Sequence, residues 1–318
     1  MSEILLEARS LTKQFPAAGK KTVHAVSGVS LQIREGETLG LVGESGCGKS
    51  TLGRLMIRTL SPTSGEVLYR GQSITAMKDR EFMPLRRELQ LVFQDPYASL
   101  DPRMTVRDLI AEPLETWHIC ESRDAVTARV LELLRAVGLP EEFLRRYPQQ
   151  FSGGQRQRIG IARAIAADPS FIVCDEPVSA LDVSVQNQIL NLLKELKASR
   201  RLTFLFISHD LSVVRYLSDR VCVMFLGRIC EIGPTEEVYR NPRHPYTRFL
   251  LDAVPVPDPA LRGKEIRLLK GDPPSPADPP SGCRFRTRCP FATQRCAAEE
   301  PELREIGAVR AACHHVEE

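Results

Sequence analysis

Gly43-Glu44-Ser45-Gly46-Cys47-Gly48-Lys49-Ser50 matches G-x-x-x-x-G-K-[ST] without a gap. The apolar run Thr38-Leu39-Gly40-Leu41-Val42 precedes it, and Leu52, Leu55 and Met56 follow at helical spacing. A strand, a glycine turn and a helix are the context in which this pattern has a mechanism. The glycines let backbone N–H groups curl around phosphates, and the helix start adds its positive dipole end. Lys49 is placed to reach the terminal phosphates and Ser50 to ligate Mg²⁺, with Thr51 completing the nucleotide-binding set. In a chain of 318 residues with average glycine usage, such a match arises by chance on the order of 1% of the time. The stretch therefore implies a nucleoside triphosphate site.

A second constellation lies about a hundred residues on. Phe151-Ser152-Gly153-Gly154-Gln155 runs into Ile159-Gly160-Ile161-Ala162-Arg163-Ala164-Ile165, a good helix former. Ser152 sits where an N-cap belongs, and Gly153 and Gly154 leave a bare helix end open to a phosphate. Behind it, Phe171-Ile172-Val173-Cys174-Asp175-Glu176 reads as a buried strand that delivers two carboxylates to its C-terminal edge, where open α/β sheets bind ligands. Alone, Ser-Gly-Gly-Gln reads equally well as a surface loop. Between a phosphate loop and an Asp-Glu strand it does not.

In this fixed order the motifs resemble the ATP-binding cassette family, over roughly residues 4–235. The resemblance implies a RecA-like α/β core with an antiparallel β-subdomain, a helical subdomain at about 97–168, and a C-terminal extension over 236–318. Gln94 in Leu91-Val92-Phe93-Gln94-Asp95-Pro96 looks like the family's Q-loop glutamine, at Mg²⁺ or the attacking water. Ser179-Ala180-Leu181-Asp182 resembles the D-loop and His209 the switch histidine, while Phe15 falls where an aromatic stacks on adenine or, equally, joins a core. Phe151 replaces the usual Leu of the signature, one apolar residue for another. The implied roles are Mg²⁺ binding for Asp175, general base for Glu176 and γ-phosphate contact for His209. Ser152, Gly153, Gly154 and Gln155 would face the nucleotide of an opposite subunit, so the expected active form is a two-subunit sandwich.

Composition sets limits. Apolar content of 42%, charged content of 26% and a net charge of +3 are those of an ordinary globular protein, with nothing that argues for a nucleic-acid face. No run approaches 18 uninterrupted apolar residues, and Met1–Glu7 carries no signal-peptide pattern. A peripheral position on the cytoplasmic face of the membrane is expected. Val130, Leu131, Leu133, Leu134 and Val137 form an amphipathic stripe that stops at Gly138. Short apolar runs at 171–174, 203–207 and 221–225 alternate with helical stretches, as parallel βαβ units do. Ser61-Pro62-Thr63-Ser64-Gly65 reads as a turn. Val254-Pro255-Val256-Pro257-Asp258-Pro259 and Pro273–Pro280 read as extended linker.

The tail narrows the resemblance. Asn241-Pro242-Arg243-His244-Pro245-Tyr246-Thr247 and the later Pro-Ser-Gly-Cys run look like the C-terminal extension of oligopeptide and dipeptide importer ATPases, specifically the F-type subunit. That implies a related or identical ATPase partner, two transmembrane permease subunits and an extracytoplasmic peptide-binding protein. A same-subfamily importer for nickel, an opine or a glutathione-like substrate is the alternative. Cassette proteins of DNA repair carry long insertions between phosphate loop and signature, and translation-factor cassettes are doubled; neither pattern is here.

Four of the nine cysteines, Cys283, Cys289, Cys296 and Cys313, gather near the C-terminus. A reducing cytoplasm disfavours disulfides, and four thiolates can hold zinc or an iron–sulfur cluster. The gaps lack C-x₂-C knuckles, and similar extensions are associated with [4Fe–4S], so a [4Fe–4S] cluster is expected ahead of Zn²⁺. Cys47 lies beside Lys49 and a helix start, both of which lower a thiol's pKa, so a reactive thiol protected by Mg-ATP is expected there, against a buried inert one.

Overall fold

The computed structural model describes residues 3–17, 19, 21–254 and 271–316. Its contacts divide the chain into two units. One comprises Ile4–Ile33, Thr38–Ala76 and Ile207–Glu318, the other Met1–Glu3, Arg34–Glu37 and Met77–Phe206.

The first unit carries the phosphate loop. An antiparallel sheet has the order β2-β1-β4-β5, from β1 (Ile4–Pro16), β2 (Thr22–Arg34), β4 (Ser64–Tyr69) and β5 (Gln72–Ser73), with β3 (Thr38–Val42) lying outside it. On β2, buried Val29, Leu31 and Ile33 alternate with exposed Ser30, Gln32 and Arg34, the two-residue period of a sheet with one dry face. The turn read at 61–65 is shorter than expected. Thr63 N–H donates to the Thr12 carbonyl at 2.8 Å, and β4 begins at Ser64, paired with Thr12.

β3, by contrast, is buried on both faces and pairs in parallel with β9 (Arg220–Phe225), as its unbroken apolar run requires. β10 (Arg228–Pro234) is antiparallel to β9. β11 (Arg304–Ile306) and β12 (Val309–Ala311) continue the sheet, in the order β11-β12-β10-β9-β3. The tail thus adds two strands to the sheet that feeds the phosphate loop. Helices α1 (Lys49–Met56), α7 (Leu211–Leu217), α8 (Thr235–Arg240), α9 (Pro245–Asp252) and α10 (Gln294–Ala298) complete this unit. Pro273–Pro280 is irregular, as read, and its Pro276 carbonyl accepts the His24 N–H at 2.9 Å. The linker read at 254–259 lies, after Val254, outside the described residues.

The second unit holds β6 (Leu89–Val92), β7 (Phe171–Asp175) and β8 (Thr203–Ile207) in the order β8-β7-β6, with β6 and β7 parallel. Around them lie α2 (Asp79–Phe82), α3 (Val106–Thr116), α4 (Arg123–Ala136), α5 (Gly153–Ile165) and α6 (Val183–Arg200). Within the expected stripe, Val130, Leu133, Leu134 and Val137 are fully buried and Leu131, on its flank, is half-buried. Gly138 follows at φ 68°, the left-handed residue that ends a helix.

Candidate functional site

The phosphate loop is shaped by crowding. Gly43, Gly46 and Gly48 have φ of 152°, 76° and 103°. A Cβ on Gly43 would stand 2.2 Å from the Met224 carbonyl oxygen, and one on Gly48 2.1 Å from that of Ala25. At Gly46 there is open space, so only the backbone angle asks for glycine. Gly48 caps α1 without a side-chain hydrogen bond, and a helix start of this kind is where anions bind. Ser45 and Gly46 are exposed at the tip of the loop. Ser50 and Thr51, on the first turn of α1, are half-buried. Lys49 is buried, its ammonium donating to the carbonyls of Gly43 at 2.8 Å and Glu44 at 3.1 Å.

Cys47 departs from expectation. It is 4% exposed, and burial pushes its thiol up, outweighing the Lys49 charge and amide that pull it down. The buried, inert reading of this thiol is the one the geometry supports. Phe15 is half-buried near the end of β1, with the Lys13 ammonium 5.1 Å from its ring centroid, so it is no core residue.

In the other unit, Asp175 closes β7 and is 2% exposed. Glu176 follows at φ 45°, a left-handed conformation that costs a non-glycine residue roughly 1–2 kcal/mol. Its carboxylate accepts from the Gln94 amide at 3.1 Å, so the structure brings these two residues together. Ser179 Oγ donates to the Glu176 carbonyl at 3.1 Å. Asp182 caps α6, accepting from the Val185 N–H at 3.0 Å, and that bond together with Ser184 Oγ holds its carboxyl below the usual range.

Ser152 caps α5. Its hydroxyl accepts from the Gln155 N–H at 3.3 Å, and the Gln155 side chain accepts from the Ser152 N–H at 3.0 Å, a reciprocal capping box. Gly153 sits where a Cβ would stand 3.1 Å from Leu181 Cδ2, and Gly154 where one would stand 2.3 Å from Val185 Cγ1. Gly154 is therefore demanded by the packing of α5 on α6, a reason its sequence context does not reveal. His209 is exposed, just ahead of Asp210, which caps α7; the adjoining Ser208 N–H donates to the Leu41 carbonyl of β3 at 3.2 Å.

The metal centre expected in the tail is not assembled by the side chains. Among the described residues, no group of three or more His, Cys, Asp or Glu could hold a metal ion. Cys283 and Cys289 are half-buried, Cys296 and Cys313 buried. Cys296 Sγ lies 3.5 Å from Nε2 of His315, and Cys313 Sγ accepts from the His315 N–H at 3.5 Å. What the motifs did not disclose is that this tail reaches the phosphate loop, through Tyr246 and Arg288 at Glu44. The stretch Asn241–Thr247 was the only signal.

Residues 26–179 match the ABC transporter family, and residues 230–296 match the family described as oligopeptide/dipeptide transporter, C-terminal region. The chain is 55% identical over 284 residues to the oligopeptide transport ATP-binding protein OppF of Escherichia coli (strain K12), covering 89% of this chain and 85% of that one. It is 51% identical over 321 residues to the oligopeptide transport ATP-binding protein AppF of Bacillus subtilis (strain 168), covering 98% and 97%. Among solved structures, the dimeric cassette MJ0796, in a post-hydrolysis state bound to ADP and Pi, matches with a TM-score of 0.67 at 32% identity, over 73% of this chain and 99% of that one. At such identity along nearly its whole length, the chain belongs to the ATP-binding subunits of the oligopeptide/dipeptide ABC transporter family.

Proposed function

We propose that this subunit hydrolyses ATP to drive import of oligopeptides or dipeptides, with Glu176 as general base. Hydrolysis rests on the observation that Glu176, forced into a left-handed turn at the end of a buried strand, presents its carboxylate to Gln94. Phosphoryl transfer needs positioning and charge neutralisation more than covalent chemistry. Lys49 and the amides of residues 43–50 offset charge on the phosphates. Ser50, Gln94 and Asp175 offer oxygen donors of the kind Mg²⁺ takes, and the ion when bound neutralises phosphate charge. Glu176 accepts a proton from the attacking water, worth about 10²–10⁴-fold. His209 contacts the γ-phosphate and Phe15 stacks on adenine.

In the dimer, Ser152, Gly153, Gly154 and Gln155 face the nucleotide of the opposite subunit, with Ser179 and Asp182 at the contact. The partner is a paralogous ATPase or a second copy of this chain, working beneath two permease subunits fed by a peptide-binding protein. The chain sits peripherally on the cytoplasmic face of the membrane; among the described residues no helix is long and apolar enough to cross one. Residues 1–235 act as the cassette and 236–318 as the extension.

The finer reading of the tail is a [4Fe–4S] cluster on Cys283, Cys289, Cys296 and Cys313. As placed, the residues do not fit a single zinc ion. A four-iron cluster is larger than a single ion and is held by four thiolates. Burial first, then the neighbouring Cys296, Cys313 and Cys289, raise the Cys283 thiol to about 11, against an N–H from Phe285. No step of hydrolysis runs through the cluster. Iron and sulfide analysis of anaerobically purified protein checks it, and freely alkylated thiols without metal would exclude it.

The function as a whole is tested by reconstituting the chain with its permease and binding-protein partners in vesicles. Peptide-stimulated ATP turnover and ATP-dependent peptide uptake are expected. An ATPase indifferent to every peptide in that complex would remove the peptide assignment.

A further inference from the structure

Glu44 follows Gly43 at the entrance of the phosphate loop, and two groups from beyond β10 hold it. Its backbone N–H donates to the Tyr246 hydroxyl at 2.9 Å. Its two carboxylate oxygens accept from Arg288 Nη1 at 2.9 and 2.8 Å. Its carbonyl accepts from Lys49, which also binds the Gly43 carbonyl. One loop residue therefore ties the tail to the lysine expected at the phosphates.

Neither partner is a casual surface contact. Tyr246 is fully buried, its ring 4.8 Å from that of Phe225 on β9 and 5.3 Å from that of Phe285, which neighbours Cys283. Phe285 in turn meets Phe225 edge-on at 5.3 Å. The Arg288 side chain is 7% exposed. A phenylalanine at 246 would serve this aromatic packing equally well. The hydroxyl adds an acceptor for the loop's Glu44 N–H. Arg288 is buried while the Glu44 side chain is 25% exposed, so removing Glu44 would leave a buried unpaired guanidinium and removing Arg288 a carboxylate that water reaches only in part.

We propose that Tyr246 and Arg288 are positioning residues for ATP hydrolysis, clamping the phosphate loop through Glu44 without touching nucleotide. The proposal rests on the reading of residues 43–50 as the triphosphate cradle. Catalysis by fixed amides and a fixed ammonium depends on their being in place before the substrate arrives. A loop whose leading residue is pinned loses less freedom on binding, so the clamp lowers the cost of ordering. It also makes the C-terminal region part of the nucleotide machinery and not a brace alone.

The experiment uses the full chain, with binding of a fluorescent ATP analogue, Mg-ATP turnover and thermal unfolding read in parallel. Tyr246→Phe keeps the ring and removes the acceptor, and should weaken nucleotide binding about 3–10-fold. Arg288→Met should raise KM for ATP about tenfold or more, because the lost bonds are charge-assisted. Adding Glu44→Gln to Arg288→Met removes the orphaned carboxylate and should restore most of the affinity, a rescue that simple loss of packing would not show. Lys49→Ala is the control for the underlying reading and should abolish binding. Wild-type KM and affinity in Tyr246→Phe and Arg288→Met, with Lys49→Ala inactive, would overturn the clamp. Wild-type binding by Lys49→Ala would instead overturn the cradle. If Arg288→Met fails to fold, Tyr246→Phe decides.

Discussion

In the loop from Gly43 to Gly48, backbone crowding and two distant side chains set the conformation, whereas at Glu176 a charged residue occupies a left-handed turn with its carboxylate turned toward an exposed glutamine. The loop spends its rigidity on backbone N–H groups, which bind any triphosphate in the same way. The strand end instead presents side chains whose partners can be drawn away or brought in. Affinity asks for a cradle formed in advance, and hydrolysis, on the proposed reading of Glu176, asks for a base that acts when the water is in place. Substitutions in the first region should therefore damage binding, and those in the second should damage turnover.

Gly48→Ala should have the largest effect. The new methyl would meet the Ala25 carbonyl oxygen at 2.1 Å, at a φ of 103° that alanine avoids, so the loop must open. Nucleotide binding should fall below detection by calorimetry. Gly46→Ala, facing open space at φ 76°, should cost only the backbone penalty of about 1 kcal/mol and keep measurable affinity. Equal losses at the two positions would mean that backbone angle and not crowding shapes the loop.

Glu176→Gln comes next and belongs to the other region. The amide preserves shape and removes the base, so nucleotide should bind with near-native affinity while kcat falls about 10²–10⁴-fold. Wild-type turnover would take Glu176 out of the chemistry. In a heterodimer, the partner's site must first be silenced.

Much of this contrast was legible in the chain. The glycine spacing declared the loop, Ser152 ahead of a good helix former declared an N-cap, and the apolar run into Asp175-Glu176 declared a buried strand. These are local patterns, readable because the interacting groups are neighbours in sequence. The tail was not legible for the same reason. Tyr246 and Arg288 meet Glu44 across 202 and 244 residues, and the three-residue strands β11 and β12 are too short to carry a period. Gly154 looked like an opening for phosphate, yet Val185 across the helix pair already excludes a side chain there. Cysteine spacing suggested a metal site but could not say how closely four thiols approach.

A pH experiment sharpens the comparison on the loop's side. His244 caps α9, the helix that carries Tyr246, and its Nδ1 accepts the Tyr246 N–H at 3.0 Å. Burial lowers its pKa to about 3 from an ordinary value near 6.5. The unfolded chain therefore takes up a proton below about pH 6.5 that the folded chain refuses, and stability falls with pH from there down to about 3. Between pH 7 and pH 5 this amounts to about 2 kcal/mol, read from urea midpoints. Buried Glu231, whose carboxyl is raised by burial, works with the opposite sign. The difference between wild type and His244→Asn, which keeps a capping acceptor, isolates the imidazole. Identical pH profiles would show that His244 is not held neutral.

The smallest expected effect is at Cys47. Its position beside Lys49 and at a helix start favours the thiolate, and a reactive thiol was the natural expectation. Burial wins, because a charge on a sulfur 4% exposed finds little water, and the thiol rises instead. Even a neutral thiol must leave its buried seat to react. In native protein, maleimide labelling of Cys47 should be slow beside that of half-buried Cys120, and saturating Mg-ATP, which holds the loop closed, should slow it further, measured by mass spectrometry of the two peptides. In urea the two cysteines should react alike. Rapid native labelling that Mg-ATP suppresses would mean that the loop opens readily between turnovers. The contrast between a fixed cradle and a movable base would then fail on the cradle's side.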